Sequence, residues 1–102
     1  MKICVLGAGA WGTALAIHLG KLHPTKLWAR DSGHVSGMKK AQSNPLYLGD
    51  FKFPPLLEIS DNFIATLSDV DLIVCAVPTS GFREILKSIK EINQSASVIW
   101  AN

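Results

Sequence analysis

Three glycines near the amino end form the pattern in this sequence that most strongly indicates chemistry. Residues 7–12 read Gly-Ala-Gly-Ala-Trp-Gly, follow the apolar run 2–6 and open a stretch with helical spacing. In that context Gly7 permits a sharp turn out of a strand, Gly9 lets a pyrophosphate approach the backbone, and Gly12 allows close helix–strand packing. The amides and dipole of a helix start also favour an anion. The loop therefore predicts a dinucleotide site.

The same glycines are also compatible with a tight strand-to-helix turn that binds nothing. A second test lies about 20 residues further on, where an acidic residue typically bonds the ribose of NAD. Arg30 precedes Asp31 there. Asp31 suits the diol of NAD, whereas Arg30 suits stacking on adenine or pairing with the 2′-phosphate of NADP. We expect NAD(P) as cofactor, with NADP slightly favoured over NAD; the alternative is a solvated surface pair.

The other reactive side chains form no pattern typical of a metal or hydrolytic site. Cys4 and Cys75 lie in apolar runs without C-x-x-C spacing, which predicts reduced core thiols and a cytoplasmic location. Histidines 18, 23 and 34 have no metal-ligand spacing and are expected to be surface or packing residues. No nucleophile elbow or pair of catalytic carboxylates is evident. The sequence predicts cofactor binding without the groups of a complete reaction.

The composition is that of one small domain with a buried core. Of the 102 residues, 48% are hydrophobic and 18% are charged, which argues against disorder. A net charge of +2 from scattered basic residues argues against a nucleic-acid partner. No apolar run approaches the ~18 residues that span a bilayer, and the early glycines are foreign to a signal peptide.

Strands and helices are predicted to alternate along the chain. Apolar, often β-branched runs predict strands at residues 2–6, 26–29, 57–60, 71–77 and 97–101. Helical spacing predicts a helix over 11–22, with Trp11, Leu15, Leu19 and Leu22 recurring, and a second one over 82–92.

Weaker signals fill the remaining connections. Asp31 or Ser32 is a candidate cap for a short helix over 35–42, and residues 62–67 have room for one or two helical turns. Prolines and glycines predict an irregular surface segment over 43–57. The alternation of strands and helices indicates an α/β, three-layer Rossmann-like fold with a parallel sheet of about five strands, in a single domain.

Several stretches, in order along the chain, resemble the amino-terminal cofactor-binding domain of NAD(P)-dependent sn-glycerol-3-phosphate dehydrogenases. The stretches are GAGAWGTALA at 7–16, LWARD at 27–31, NPLYL at 44–48, AVPTS at 76–80 followed by Phe82-Arg83, and VIWA at 98–101. The glycine motif is shared by many dehydrogenases, but the ordered set is far more specific and runs nearly from end to end.

The resemblance implies a function and a set of site residues. The family reduces dihydroxyacetone phosphate to sn-glycerol 3-phosphate by hydride transfer from NAD(P)H, which feeds phospholipid synthesis. The resemblance also implies that Ala10 and Trp11 touch the pyrophosphate and that Arg30 lies at the adenosine end. It further implies that Pro78 and Phe82 line the cofactor cleft. The expected cofactor-binding residues are Gly7, Gly9, Ala10, Trp11, Gly12, Arg30, Asp31, Tyr47, Pro78 and Phe82.

Two departures from the family pattern qualify what the resemblance implies. The connection at 23–25 is a residue shorter than usual and lacks the common Gly-His, which would shift the adenosine pocket. The chain ends at Asn102, where the family continues with Lys-Gly and a helical domain that carries the catalytic lysine. We therefore expect residues 1–102 to be an NAD(P)-binding domain, inactive alone, of a parent enzyme with a small phosphorylated substrate. A homodimer is left open.

Two other functions are left open by the sequence. The chain is also compatible with the cofactor domain of another dehydrogenase, such as a ketopantoate reductase or a hydroxyacid dehydrogenase, which the residues following Asn102 would distinguish. From a different class, it is compatible with a stand-alone NAD(P)-sensing module that regulates a partner. Tight cofactor binding coupled to a change of association state would favour the module.

Overall fold

The computed structural model describes residues 1–101 as a parallel sheet with helices on both faces. The strands are β1 (Ile3–Leu6), β2 (Thr25–Trp28), β3 (Leu57–Ser60), β4 (Leu72–Cys75) and β5 (Ser97–Trp100). The helices are α1 (Ala10–Gly20), α2 (Ser32–Ala41), α3 (Phe63–Leu67) and α4 (Phe82–Ile92), with a 3₁₀ turn over Thr79–Gly81 before α4. No helix in this described range is long and apolar enough to cross a bilayer.

The order of strands across the sheet is β3-β2-β1-β4-β5, and every neighbouring pair is parallel. Leu6 at the end of the central β1 is in register with Trp28 of β2 and Cys75 of β4. The chain builds one half of the sheet outward from β1 and then returns to build the other half. Ligands in such sheets bind beyond the carboxyl ends of the strands where this order reverses. The predicted five-stranded Rossmann-like fold is confirmed.

Alternate side chains of β1 belong to two separate cores. Ile3 and Val5 pack with residues of α1 and α2, whereas Cys4 and Leu6 pack with residues of α3 and α4. These four side chains are at most 1% exposed, as expected for a strand buried on both faces. Cys4 and Cys75 are free, buried thiols of the second core, and burial raises the pKa of Cys4 to about 12. The Cys4 thiol is therefore un-ionised at neutral pH.

The face of α1 that meets the sheet agrees only in part with the one that the sequence spacing suggests, since Leu15 and Leu19 pack against the core but Trp11 and Leu22 do not. The buried residues of α1 are its small ones: Gly12, Thr13, Ala16 and Gly20. By contrast, Trp11 is 57% exposed, and Leu22, which lies beyond the end of the helix, is 76% exposed. A Cβ on Gly20 would lie only 3.1 Å from the Cβ of Leu57. Small residues let α1 approach the sheet closely, and the larger apolar residues Leu15, Ile17 and Leu19 pack, partly buried, against the same core.

The helix α2 begins three residues earlier than predicted and is capped by Asp31. The Oδ1 atom of Asp31 accepts hydrogen bonds from the amides of Gly33 (2.8 Å) and His34 (3.1 Å). This cap starts the helix at Ser32 although Gly33 follows directly. Residues 43–56 of the predicted irregular segment contain no regular strand or helix, an antiparallel bridge joins Asn44 to Leu48, and Leu57 already opens β3.

Candidate functional site

The glycine loop crosses the carboxyl end of β1 and starts α1. Gly7 has a φ of +108°, which favours glycine, and a Cβ there would lie 2.9 Å from the carbonyl oxygen of Ala76. A Cβ on Gly12 would overlap the carbonyl oxygen of Gly7. The fold itself therefore requires these two glycines, the first for its backbone conformation and the second for the close approach of α1 to the loop.

The fold does not require the middle glycine. Gly9 has an extended backbone (φ −77°, ψ −172°) that any residue adopts, and a Cβ built on it meets no atom within 4 Å. Gly9 is the N-cap of α1, where it has no side chain to bond the first-turn amides, and no acidic residue lies in that turn. Open space thus adjoins helix amides that no side chain caps, an arrangement that fits a pyrophosphate.

A buried asparagine from the segment after α2 supports this loop. Asn44 is 0% exposed, and its Nδ2 donates to the carbonyl oxygen of Ala8 (3.0 Å) and to Oγ1 of Thr13 (2.8 Å). Its Oδ1 lies 3.0 Å from Nε2 of His34. Sequence reasoning assigned no role to this network, because its bonds to the loop join residues 36 and 31 positions apart. The available signal was the asparagine that opens the NPLYL stretch.

Arg30 and Asp31 lie just beyond the carboxyl end of β2, next to the strand that carries the glycine loop. Arg30 is exposed and lines a cleft of about 280 Å³ between the exits of β1 and β2 and the first turns of α4. The other residues that line it are Leu6, Trp28, Phe63, Glu84, Ile85 and Ser88. Asp31 caps α2 through Oδ1 alone, and its Oδ2 takes no part in the cap.

The exit of β4 lies against the glycine loop. A Cβ on Gly7 would lie 3.1 Å from Cγ1 of Val77, and the exposed Pro78 follows directly. Phe82 at the start of α4 packs edge-to-face on Trp100 of β5, with ring centroids 4.3 Å apart, and keeps 36% of its surface exposed. The predicted residues of this exit therefore share one edge of the sheet with the loop.

Tyr47 is the predicted site residue with the least direct connection to the loop. Its exposed ring lies 6.3 Å, centroid to centroid, from the ring of His34. Ala10 and Trp11, by contrast, are exposed at the start of α1 itself. The structure thus brings nine of the ten predicted residues to the exits of three adjacent strands. Tyr47 is joined to them indirectly, because its amide donates to the carbonyl oxygen of Asn44 at 3.2 Å.

The opposite, amino edge of the sheet is organised differently. Lys2 Nζ forms an ion pair with Asp69 Oδ2 at 2.7 Å, and the Lys2 backbone amide donates to Asp71 Oδ2 at 2.8 Å. The Lys2 hydrogen bond holds the pKa of Asp69 below its ordinary value, and the reciprocal bond raises the pKa of Lys2. No cluster of His, Cys, Asp or Glu within residues 1–101 is arranged to hold a metal ion.

A second asparagine joins the segments at this amino edge. Nδ2 of Asn93 donates to the carbonyl oxygens of Leu67 (2.9 Å) and Val70 (3.1 Å). Its Oδ1 accepts from the amides of Ser95 and Ala96, each at 3.1 Å. Asn93 therefore makes the same kind of contact as Asn44, at a distance from the glycine loop.

Comparisons with known proteins identify relatives across the whole chain. The family model described as NAD-dependent glycerol-3-phosphate dehydrogenase N-terminus matches residues 2–102. The NAD(P)+ glycerol-3-phosphate dehydrogenase of Methylobacillus flagellatus is 46% identical over 102 residues, which are 100% of this chain and 31% of that protein. The chain therefore spans about a third of the length of this relative.

Solved structures agree with the sequence match. The crystal structure of glycerol-3-phosphate dehydrogenase from Coxiella burnetii superposes with a TM-score of 0.90 at 34% identity, over 98% of this chain and 31% of that one. The glycerol-3-phosphate dehydrogenase of Saccharomyces cerevisiae gives a TM-score of 0.85 at 21% identity, over 99% of this chain and 33% of that one, and shows the fold alone. The resemblance drawn from the sequence motifs is confirmed.

Proposed function

The chain belongs to the family of NAD-dependent glycerol-3-phosphate dehydrogenase amino-terminal domains, and we propose that it binds NAD(H) or NADP(H) as the cofactor domain of such an enzyme. The observation that carries the proposal is the open space at Gly9, beside first-turn amides of α1 that no side chain caps. The glycines on either side are needed for the fold, but a glycine at this position leaves room for a ligand.

The chain's own residues divide the proposed binding work among three strand exits. The loop amides hold the pyrophosphate beside Ala10 and Trp11, because the helix start presents hydrogen-bond donors and a positive dipole end. Arg30 binds the adenosine end, and Pro78 and Phe82 line the cleft at the β4 exit. Bound NAD(P)H supplies a hydride, and in the parent enzyme we propose dihydroxyacetone phosphate as its acceptor, giving sn-glycerol 3-phosphate.

Two features of the β2 exit support a slight preference for NADP. Arg30 is exposed there and carries a permanent positive charge that suits a 2′-phosphate. Asp31, which would accept hydrogen bonds from the diol of NAD, already uses one oxygen to cap α2. The residues of this exit therefore favour a phosphate over a free diol.

The groups that hold substrate and move a proton are proposed to belong to a second domain of the parent enzyme. Reduction of a carbonyl needs a donor beside the developing oxyanion. Arg83 follows the exit of β4 at the start of α4, but a guanidinium does not titrate usefully as a proton donor. We propose that residues 1–102 bind the cofactor and that a helical domain completes the reaction.

The experiment that tests cofactor binding compares two glycines with equally open surroundings. A Cβ on Gly9 and a Cβ on Gly37 both meet no atom within 4 Å, so a side chain has room to leave the backbone at either position. Gly9→Val should weaken NADH and NADPH at least roughly tenfold, a loss of ~1.4 kcal/mol, because the side chain occupies the pyrophosphate position. Gly37→Val, in α2, should bind like the parent chain. Titration calorimetry measures both.

The outcome of this experiment decides the role of the loop. A folded Gly9→Val chain that binds both cofactors as tightly as the parent would show that the loop is only a turn. Cofactor binding that is coupled to a change of association state, followed by light scattering, would instead favour a regulatory NAD(P)-sensing module.

A further inference from the structure

The carboxamide of Asn44 has one possible orientation. The carbonyl oxygen of Ala8 can only accept a hydrogen bond, so the amide nitrogen of Asn44 must face it. The second N–H of this nitrogen is directed to Oγ1 of Thr13. The carboxamide oxygen therefore faces Nε2 of His34 and, because it can only accept, Nε2 must carry a proton.

These bonds attach Asn44 to the loop on both sides of Gly9. Ala8 lies between Gly7 and Gly9, and the amide of Thr13 donates to the carbonyl oxygen of Gly9 at 3.0 Å. Asn44 and Thr13 are each fully buried, so water does not replace a lost partner without a structural change. The asparagine thus fixes the segment whose backbone would face a pyrophosphate.

His34 connects the same network to the β2 exit. It lies in the first turn of α2, where its amide donates to Asp31, the residue that follows Arg30. The chain of contacts from Asp31 through His34 and Asn44 to Ala8 joins the segment proposed to bind adenosine to the loop proposed to bind pyrophosphate.

We propose that Asn44 is a positioning residue, held by a His34 Nε2–H donor, that keeps the glycine loop in the conformation that binds the dinucleotide. This proposal rests on the proposed function. Asn44 is fully buried and acts through the loop rather than by touching the ligand.

The test compares two substitutions of the same chemistry at the two asparagines. Asn44→Asp and Asn93→Asp each keep the acceptor oxygen and the volume of the side chain, and each replace an amide NH2 that donates to buried or half-buried acceptors with a carboxyl oxygen. Both should lower the melting temperature. At a temperature where both are folded, Asn44→Asp should weaken NADH at least tenfold and Asn93→Asp less than twofold. Equal losses, or no loss for Asn44→Asp, would overturn the proposal.

A second pair of variants applies if Asn44→Asp does not fold. Thr13→Val keeps the shape of the side chain and removes only the acceptor of one Asn44 bond, whereas Thr13→Ser keeps the hydroxyl. Thr13→Val should weaken NADH several-fold, and Thr13→Ser should retain the parent affinity. If both variants bind like the parent chain, the hydroxyl does not take part in positioning and the proposal is wrong.

Two readouts without cofactor separate this proposal from the proposed function. Nitrogen-15 NMR of labelled histidine should show His34 protonated at Nε2, and the Nδ1–H tautomer alone would overturn the assignment. Amide hydrogen exchange over residues 8–13 should become faster in Asn44→Asp, or in Thr13→Val, and stay unchanged in Asn93→Asp. If the parent chain binds no NADH, the proposed function fails, and unchanged exchange in this loop would show independently that Asn44 does not hold it.

Discussion

The two edges of the parallel sheet use similar polar side chains to different ends. At the amino edge, Lys2 pairs with Asp69, and Asn93 bonds to four backbone groups of its own neighbourhood. At the carboxyl edge, Asn44 also bonds within the chain, but the loop that it holds presents helix amides without a side-chain cap. The first edge pairs its polar groups with one another, and the second leaves helix amides without a side-chain partner.

The difference separates an asparagine that holds only the fold from one that also supports the candidate site. Asn93 joins α4 to the loop after α3, so its bonds serve only stability. Asn44 makes equivalent bonds, but one of its acceptors belongs to the glycine loop. In the role that we propose for it, this contact holds the loop amides in place before a ligand arrives, which would reduce the ordering cost of binding.

The largest effect is expected where a loop glycine serves the fold. A Cβ on Gly12 would overlap the carbonyl oxygen of Gly7, so Gly12→Ala should force α1 away from the loop. We expect a loss of about 3 kcal/mol in the free energy of unfolding, measured with urea, as for other overpacked sites. For a small domain this is a large part of the total stability.

Gly37→Ala is the matched control for this prediction. It lies within α2, where a Cβ meets no atom within 4 Å, so alanine should stabilise the chain by roughly 0.5–1 kcal/mol. If Gly12→Ala changed stability as little as Gly37→Ala, the close contact between α1 and the loop would be wrong, and with it the distinction between Gly12 and Gly9.

Much of this fold was predictable because the signals are local. Apolar runs bounded by polar turns predicted all five strands. The signal is clearest for β1, which is buried on both faces, although the edge strand β5 is also apolar with no fully buried residue. The helix caps were less certain. Asp31 was one of two candidates, and its two amide bonds start α2 at Ser32 rather than Val35.

Other features were hidden because they depend on tertiary contacts. The fully buried positions of α1 carry small residues because the helix lies so close to the sheet, whereas Leu15 and Leu19, which the periodicity marks, are only partly buried. In the candidate site, the motif located Gly9, but only the structure shows that its surroundings are open. The bonds of Asn44 to Ala8 and Thr13 cross more than 30 positions of the chain, so no local pattern reveals them.

A smaller effect is expected from Arg30 at the carboxyl edge. Arg30→Ala removes an exposed side chain, so stability should change little. NADPH should weaken by about tenfold, since a charge-assisted bond to the 2′-phosphate contributes on the order of 1.5 kcal/mol, while NADH should weaken less. Competition titrations with the two reduced cofactors give the ratio. Equal losses would mean that Arg30 only stacks on adenine and that NADP is not preferred.

The smallest effect is expected at the amino edge, from the exposed pair of Lys2 and Asp69. Because Lys2 lowers the pKa of Asp69, the pair stabilises the fold at pH values above 3.8, the ordinary pKa of the carboxyl. This contribution is lost as the pH falls through the lowered pKa of Asp69. Because Asp69 raises the pKa of Lys2, the contribution is present at pH values below 10.5, the ordinary pKa of a lysine, and is lost as the pH rises through the raised pKa of Lys2.

Asp69→Asn should therefore lower the melting temperature slightly between about pH 5 and pH 9 and not at all near pH 2, where the carboxyl is protonated in both chains. Both side chains are largely exposed, at 57% and 80%, so 1 M salt should remove most of the difference. NADH affinity at pH 7 should be unchanged, because this edge lies opposite the glycine loop. A loss of affinity in Asp69→Asn without a loss of stability would show that the two edges are coupled and that the amino edge is not purely structural.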